Sequence, residues 1–383
     1  MTELETLAAF EQHLREGRSL ANVILQGLDL RAWSDALLKA DLTGTVFLGC
    51  LLEPATLQQV LARGAMVFPP FTGLPYCPYR GSLYTPEELY AGFDPTRPDT
   101  YADTLDARIY AHWNSRGGAH PPSILETLAQ RLHDHAISDA LEDALLEQGK
   151  PRRVVAIMGG HSMLRGQEAY RSVAELARSL ARLGFFLVSG GGPGAMEATH
   201  LGAWFAARPD EDLDAALAVL ARAPSYKDRD WLARAFEVRA MWPMLDAAAM
   251  GDSLGIPTWL YGHEPPNPFA TRIAKYFANS VREEGLLTIA RGGVVYSPGS
   301  AGTVQEIFQD ACQNHYNTVG VISPMLFLGR EFWTQTRPVY PLLEHLAQGH
   351  EYARHLLLTD SKEDIVQALV RFDEEREALA RAG

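Results

Sequence analysis

The stretch from Arg152 to Gly192 constrains this chain more than any other. It reads RRVVAIMGG, then EAYRSVAELARSLARLG, then FFLVSGGG, with a short polar link after the first run. Two continuous apolar runs, each closed by glycines, flank a segment whose apolar residues recur at helical spacing. An apolar run without alternation is a strand buried on both faces. Strand, helix, strand at this spacing is a βαβ unit, whose strands lie parallel with a right-handed crossover. Further short runs follow at IPTWLYG, GGVVYSP, TVGVISP and RHLLLTD, and SKEDIVQALVRFDEE reads as a closing helix capped by Ser361. The expected fold class is α/β: a doubly wound, Rossmann-like parallel sheet over residues 151–383, with ligands beyond the carboxyl ends of the strands.

The 383 residues exceed what one core usually covers, so a second, irregular or mixed N-terminal domain is expected over 1–122. MTELETLAAFEQHLREG reads as an amphipathic helix. Between Ala21 and Leu52 apolar residues recur at intervals of five, at Val23, Leu28, Trp33 and Leu38 and again at Leu42, Phe47 and Leu52. That spacing is reminiscent of pentapeptide repeats, which coil into a β-helix, and is also open to ordinary strands and loops. The Pro-, Gly- and Tyr-rich stretch 68–122 is punctuated too often for long helices. Residues 123–150 read as a connecting helix, with Ser123 as N-cap, Glu126 as its capping-box partner and Gly149 as the stop. Residues 205–250 form an insertion in the α/β domain.

A formal charge of −13 argues against binding a nucleic acid polymer, which needs clustered Lys and Arg. Cys50, Cys77 and Cys312 are far apart and odd in number, and no His stands at ligand spacing, so neither a disulfide framework nor a metal site is suggested. No apolar run reaches the length of a membrane span and no signal peptide is evident, so no membrane partner and a cytoplasmic location are expected. His133 and His135 lie in the connecting helix and read as packing or surface residues.

Three turns carry the chemistry: MGGHSMLRG, SGGGPGAME and SPGSAGTVQE. In one parallel sheet they share an edge, and each lets backbone N–H groups approach an anion at the start of a helix. Gly190, Gly192 and Ala195 also fit a GxGxxA dinucleotide fingerprint. That reading requires the first strand of the fold and an acid ending the next, whereas PDEDLDAALAVLARAP places its acids before the apolar run. Thr303 with Glu306, and Ser280 with Glu283, each read as capping boxes. The second puts Arg282 in the first turn of its helix, against the dipole.

These motifs resemble the LOG ("lonely guy") family, whose members hydrolyse nucleoside 5′-monophosphates to a free base and ribose 5-phosphate. Gly159 and Ser162 match the family's first loop. Gly190, Gly191, Gly192, Gly194 and Met196 resemble its GGGxxGxM turn, here one residue shorter, and Pro298, Gly299, Gly302, Thr303 and Glu306 match PGGxGTxxE. Of MHxRK only the arginine is kept, as Arg282 or alternatively Arg272. Glu283 stands at the lysine position, Ser300 replaces a glycine and Gln305 replaces an acid. The resemblance implies a phosphate on the backbone of Gly191, Gly192 and Gly194 and on Gly299, Ser300, Gly302 and Thr303, with Gly159 and Ser162 beside it. It implies Glu306 and Arg282 as catalytic residues, a nucleoside monophosphate or related phosphorylated ligand, no metal or organic cofactor, and a homodimer or higher homo-oligomer. The departures leave a second reading open, a nucleotide-binding sensor that uses the fold without hydrolysis. A Ser300 held at positive φ would be strained by about 1 kcal/mol.

Overall fold

The computed structural model describes residues 2–244 and 251–382. The chain forms two compact units, Met1–Leu83 with Ala111–Asp143, and Tyr84–Tyr110 with Ala144–Gly383.

The first unit opens with strand β1 (Thr2–Leu4), where a helix was expected, and the helix α1 (Leu7–Arg15) starts only after it. Then β2 (Val23–Gln26), α2 (Ser34–Lys39), β3 (Val46–Leu48), α3 (Pro54–Ala62) and β4 (Met66–Phe68) complete a parallel sheet in the order β1-β2-β3-β4. The pentapeptide-like stretch 21–52 is therefore one strand–helix–strand repeat and not a β-helix coil. Four of its spaced residues are in the core, but from different elements: Val23 lies in β2, Leu28 after it, Leu42 ahead of β3 and Phe47 within it, whereas in α2 Leu37 is buried in place of Leu38. A spacing of five serves both arrangements, and α2 decides between them.

Next come α4 (Pro86–Leu89), α5 (Leu105–Ser115) and α6 (Ile124–Ala144). Ser123 Oγ accepts the N–H of Glu126 at 3.4 Å. The return half of the expected box is not made, because the Glu126 carboxylate instead accepts from Tyr76 Oη at 3.2 Å and meets His112 Nε2 at 3.1 Å. His133 is fully buried against the Tyr76 ring, and His135 is exposed. The helix ends at Ala144, and Gly149, at φ +76, turns the small hairpin of β5 (Leu146–Glu147) and β6 (Lys150–Pro151).

The second unit carries a seven-stranded sheet in the order β10-β9-β8-β7-β11-β12-β13, every pair parallel. Its elements are β7 (Val154–Met158), α7 (Glu168–Arg182), β8 (Phe186–Ser189), α8 (Ala195–Trp204), α9 (Asp210–Leu220), α10 (Trp231–Met241), β9 (Ser253–Gly255), β10 (Arg272–Ile273), α11 (Asn279–Ile289), β11 (Val294–Tyr296), α12 (Ala301–Tyr316), β12 (Met325–Leu328), α13 (Tyr340–Ala347), β13 (Leu356–Thr359) and α14 (Lys362–Ala382). The chain starts in the middle with β7, steps outward to β10, and returns to the other side of β7 with β11. This is the doubly wound α/β arrangement, with its topological switch point between β7 and β11. Val155, Ile157, Leu187 and Val295 are wholly buried in it, each contributing about 1.5–3 kcal/mol relative to exposure.

Two runs read as strands lie just outside them. IPTWLYG follows β9 and forms a single 3-10 turn at Trp259–Tyr261, and TVGVISP precedes β12. Pro257 and Pro324 stand at these offsets, and neither can donate to a ladder. Of the 205–250 insertion, the described part consists of α9 and α10 with their links, and residues 245–250 lie outside the described residues. Ser361 caps α14 as expected, its Oγ accepting from Asp364 N at 3.1 Å. Among the described residues no helix is long and apolar enough to cross a membrane.

Candidate functional site

At the switch point the loops after β7 and β11 are tied together. Ser297 donates its N–H and its hydroxyl to Met158 O, at 2.8 and 3.1 Å, and Gly160 N donates to Pro298 O at 3.1 Å. A Cβ on Gly159 would lie 2.6 Å from that of Ala195, and one on Gly160 would lie 3.4 Å from Gly299 Cα and 3.8 Å from Ser162 Oγ. Gly159, Ser162 and Gly299 thus share one floor.

Helix α12 rises from that floor. Its N-cap is Ser300, at φ −112, so the expected left-handed strain is absent, and the hydroxyl makes no capping bond. Thr303 is the third residue of the helix rather than its cap. Its side chain fills the space that a Cβ on Gly299 would need, which accounts for that glycine. Gly302 is exposed in the first turn. The turn contains no acidic residue, so its free N–H groups and the helix dipole present uncompensated positive potential.

The turn after β8 is built differently. Gly191 has φ +72, and a Cβ there would lie 2.8 Å from Ile256 N and 2.7 Å from Pro257 Cδ. Gly194, at φ +70, precedes α8 and packs on His161, and Ala195 N donates to Gly160 O at 3.1 Å. The first turn of α8 already holds an acid: Glu197, fully buried, ion-paired with Arg165 at 2.5 Å and accepting from Tyr170 Oη at 2.9 Å. Behind the turn, Ser189 Oγ accepts Gly191 N at 3.1 Å and meets His200 Nε2 at 2.8 Å, while His200 Nδ1 meets Ser253 Oγ at 2.9 Å. Burial pushes the His200 pKa down to about 3, so the ring is neutral.

The remaining two predicted residues come together beside these turns. Helix α11 starts at Asn279 with Ala278 as N-cap, so Ser280 lies inside the helix and no Ser280–Glu283 box forms; Asn279 Nδ2 donates to Glu283 at 2.6 Å instead. Arg282 is buried, donates from Nε to Ile256 O at 2.9 Å, and places Nη1 3.5 Å from Glu306 Oε1. A side chain on Gly190 would strike its guanidinium, which explains a glycine there. Glu306, the sixth residue of α12, is a largely buried carboxylate. Burial raises its pKa, Arg282 partly offsets this, and Glu283 adds to the rise. Arg272 lies elsewhere: it pairs at 3.2 Å with Asp252, which precedes β9, at the amino-terminal edge of the sheet. Gln305 donates to Glu283 at 2.8 Å, so two of the departures from the family pattern touch one another.

Sequence reasoning missed several neighbours. Glu264 lies over Gly192, its Oε2 3.7 Å from where a Cβ would stand. His161 and Tyr226 meet edge to face at 6.1 Å, and with Ser162, Pro193, Lys227 and Trp231 they line a cavity of about 230 Å3. The EPPNP run around Glu264 and the SYKD link of the insertion were the available signals. One turn past Glu306, Asp310 accepts from Tyr296 Oη at 2.8 Å, and burial pushes its pKa up to about 7. Among the described residues no group of three His, Cys, Asp or Glu could hold a metal ion.

No family model matches the chain, and no curated protein matches it. Solved structures do resemble it. The molybdenum cofactor binding protein from the phototrophic bacterium Rippkaea orientalis is 14% identical, covers 57% of this chain and 96% of its own, and superposes with a TM-score of 0.36. For the molybdenum cofactor carrier protein from Chlamydomonas reinhardtii the figures are 13%, 58%, 98% and 0.38. For TM1055, a structural genomics target, they are 18%, 57%, 98% and 0.34.

Proposed function

We propose that this chain hydrolyses the N-glycosidic bond of a nucleoside 5′-monophosphate, releasing free base and ribose 5-phosphate. The observation that carries the reading is the Arg282–Glu306 pair, 3.5 Å apart and largely buried, standing beside the acid-free N-terminus of α12 at the switch point. The 5′-phosphate is taken by the first N–H groups of α12, from Ser300 to Thr303, with Ser162 alongside. Cleavage builds positive charge at the anomeric carbon. The Glu306 carboxylate stabilises that charge and takes a proton from the water whose oxygen bonds to this carbon as the C–N bond breaks, while Arg282 favours its ionised form and faces the departing base, which takes up a proton from solvent; Glu306 then returns its proton to solvent. Gly191 and Gly194 serve the packing of the second glycine turn, and Gly192 leaves room for the Met196 methyl, which a Cβ there would meet at 2.9 Å. The LOG-like motifs support the same reading, since they fall on these loops.

The closed Arg282–Glu306 pair also fits a nucleotide sensor, because paired charges can be structural. Purified protein given a panel of nucleoside monophosphates separates the two. Ribose 5-phosphate is expected with the wild type, falling by about 10²- to 10⁴-fold in Glu306→Gln. Binding without release in the wild type establishes the sensor instead, and undiminished release by the variant removes Glu306 from the mechanism.

A further inference from the structure

We propose that Glu264 reads the sugar: its carboxylate accepts hydrogen bonds from the 2′- and 3′-hydroxyls, which makes the site selective for ribonucleotides over 2′-deoxyribonucleotides. This rests on the nucleotide reading above and adds a residue and a substrate class to it. The Glu264 side chain is 14% exposed, yet its carboxylate accepts no hydrogen bond from a described residue. His161 Nδ1 and His263 Nε2 stand at 3.8 and 3.9 Å, beyond hydrogen-bond reach. A partly exposed carboxylate with no donor in reach can take its donors from a ligand.

Its position says which donors. Gly190 and Gly192 are two residues apart in the turn after β8. The Met196 side chain packs over both: a Cβ on Gly190 would meet the Arg282 guanidinium and Met196 Sδ, and one on Gly192 would meet Met196 Cε at 2.9 Å and stand 3.7 Å from Glu264 Oε2. Glu264 and the Arg282–Glu306 pair therefore overlook one turn. A phosphate dianion at this turn would face the Glu264 charge at close range, which places the phosphate on α12 and a neutral, donor-rich part of the ligand here. In a nucleoside monophosphate the part between the phosphate and the scissile bond is the ribose. Its two neighbouring hydroxyls match the two oxygens of one carboxylate.

The test uses the full chain and matched pairs, AMP with dAMP and GMP with dGMP, together with ribose 5-phosphate and 2-deoxyribose 5-phosphate as binding probes. One hydrogen bond to a charged acceptor corresponds to about tenfold or more. The wild type is expected to prefer the ribo member of each pair by at least about tenfold in kcat/KM or affinity. In Glu264→Ala this ratio should collapse toward one, and in Glu264→Gln it should be intermediate, with folding of both verified by circular dichroism. Equal handling of ribo and deoxy substrates by the wild type, or a preference that survives in Glu264→Ala, overturns the assignment while leaving the nucleosidase reading standing. If no member of any pair binds or is cleaved, the nucleotide reading itself is wrong and this proposal falls with it.

Discussion

The His200 ring provides a sharp test of how the second glycine turn is held. It is fully buried between Ser189 and Ser253, and Ser189 in turn accepts the N–H of Gly191. A neutral imidazole has one donor and one acceptor nitrogen, and each hydroxyl can give or take, so both contacts are satisfied without charge. Protonation would put a cation into the core, and burial alone pushes the pKa from 6.5 to about 3. The folded value lies below the unfolded one, so between these pH values the unfolded chain binds a proton that the native chain excludes. This contribution is intact above pH 6.5 and is lost as pH falls toward 3, by about 1.4 kcal/mol per unit. From about pH 7.5 to 5 the loss comes to about 2 kcal/mol. Asp310 and Glu5, both raised to about 7, act with the opposite sign: the stability they confer is greatest below their unfolded values and is lost as pH rises through 7. Comparison with His200→Asn cancels them. Urea unfolding of both proteins at the two pH values, followed by fluorescence and circular dichroism, should show the wild type losing about 2 kcal/mol more than the variant on acidification. Parallel pH dependences would refute the neutral buried ring, whatever the absolute stability of the variant.

Two further outcomes follow from the packing. Lys275 Nζ and Asp106 Oδ1 are 2.5 Å apart with both side chains wholly buried, so Asp106→Asn should destabilise by about 3–5 kcal/mol in thermal melts by stranding the ammonium; a loss under about 1 kcal/mol would show the lysine reaching water. Gly191→Ala combines a left-handed φ of +72 with a Cβ 2.8 Å from Ile256 N, which should cost more than the about 1–2 kcal/mol of the backbone term alone and also weaken nucleotide binding. An unchanged melting temperature would show that the turn can shift freely.

The strands β7, β8 and β11 were legible because continuous apolar runs closed by glycines leave few alternatives, and the gathering of three glycine turns at one edge follows from parallel pairing. Helix starts were less legible. Thr303 and Ser280 carry good capping side chains, yet α12 starts from Ser300 and α11 from Ala278. The choice at α12 is made by Thr303 filling the space over Gly299, a contact that no capping rule contains. The offset of β9 and β12 from their apolar runs reflects the same limit: hydrophobicity reports burial, and prolines decide where a ladder can run. Glu264 could not be placed from sequence because its meaning depends on the loop after β9 reaching Gly192.

The two helix N-termini at this edge differ in what their first turns already contain, and this separates the two ends of the proposed ligand. At α8 the first-turn position is filled by Glu197, held by Arg165 and Tyr170, and Ala195 N is spent on Gly160 O. At α12 the first turn carries no acid and its cap hydroxyl makes no bond to the helix. A helix N-terminus favours an anion by about 0.3–1 kcal/mol when exposed and up to about 2 when partly buried, and a carboxylate in the same turn uses that potential before a ligand arrives. Glu264 then opposes a second anion at Gly192. Under the proposed function, this charge pattern gives the phosphate its seat on α12, sets the sugar toward the turn after β8 and brings the bond to the base to the Arg282–Glu306 pair. Reversing the proposed ligand would set its phosphate against Glu264 and leave α12 without an anion, so the same charge pattern argues for one direction of the proposed nucleotide and against the other.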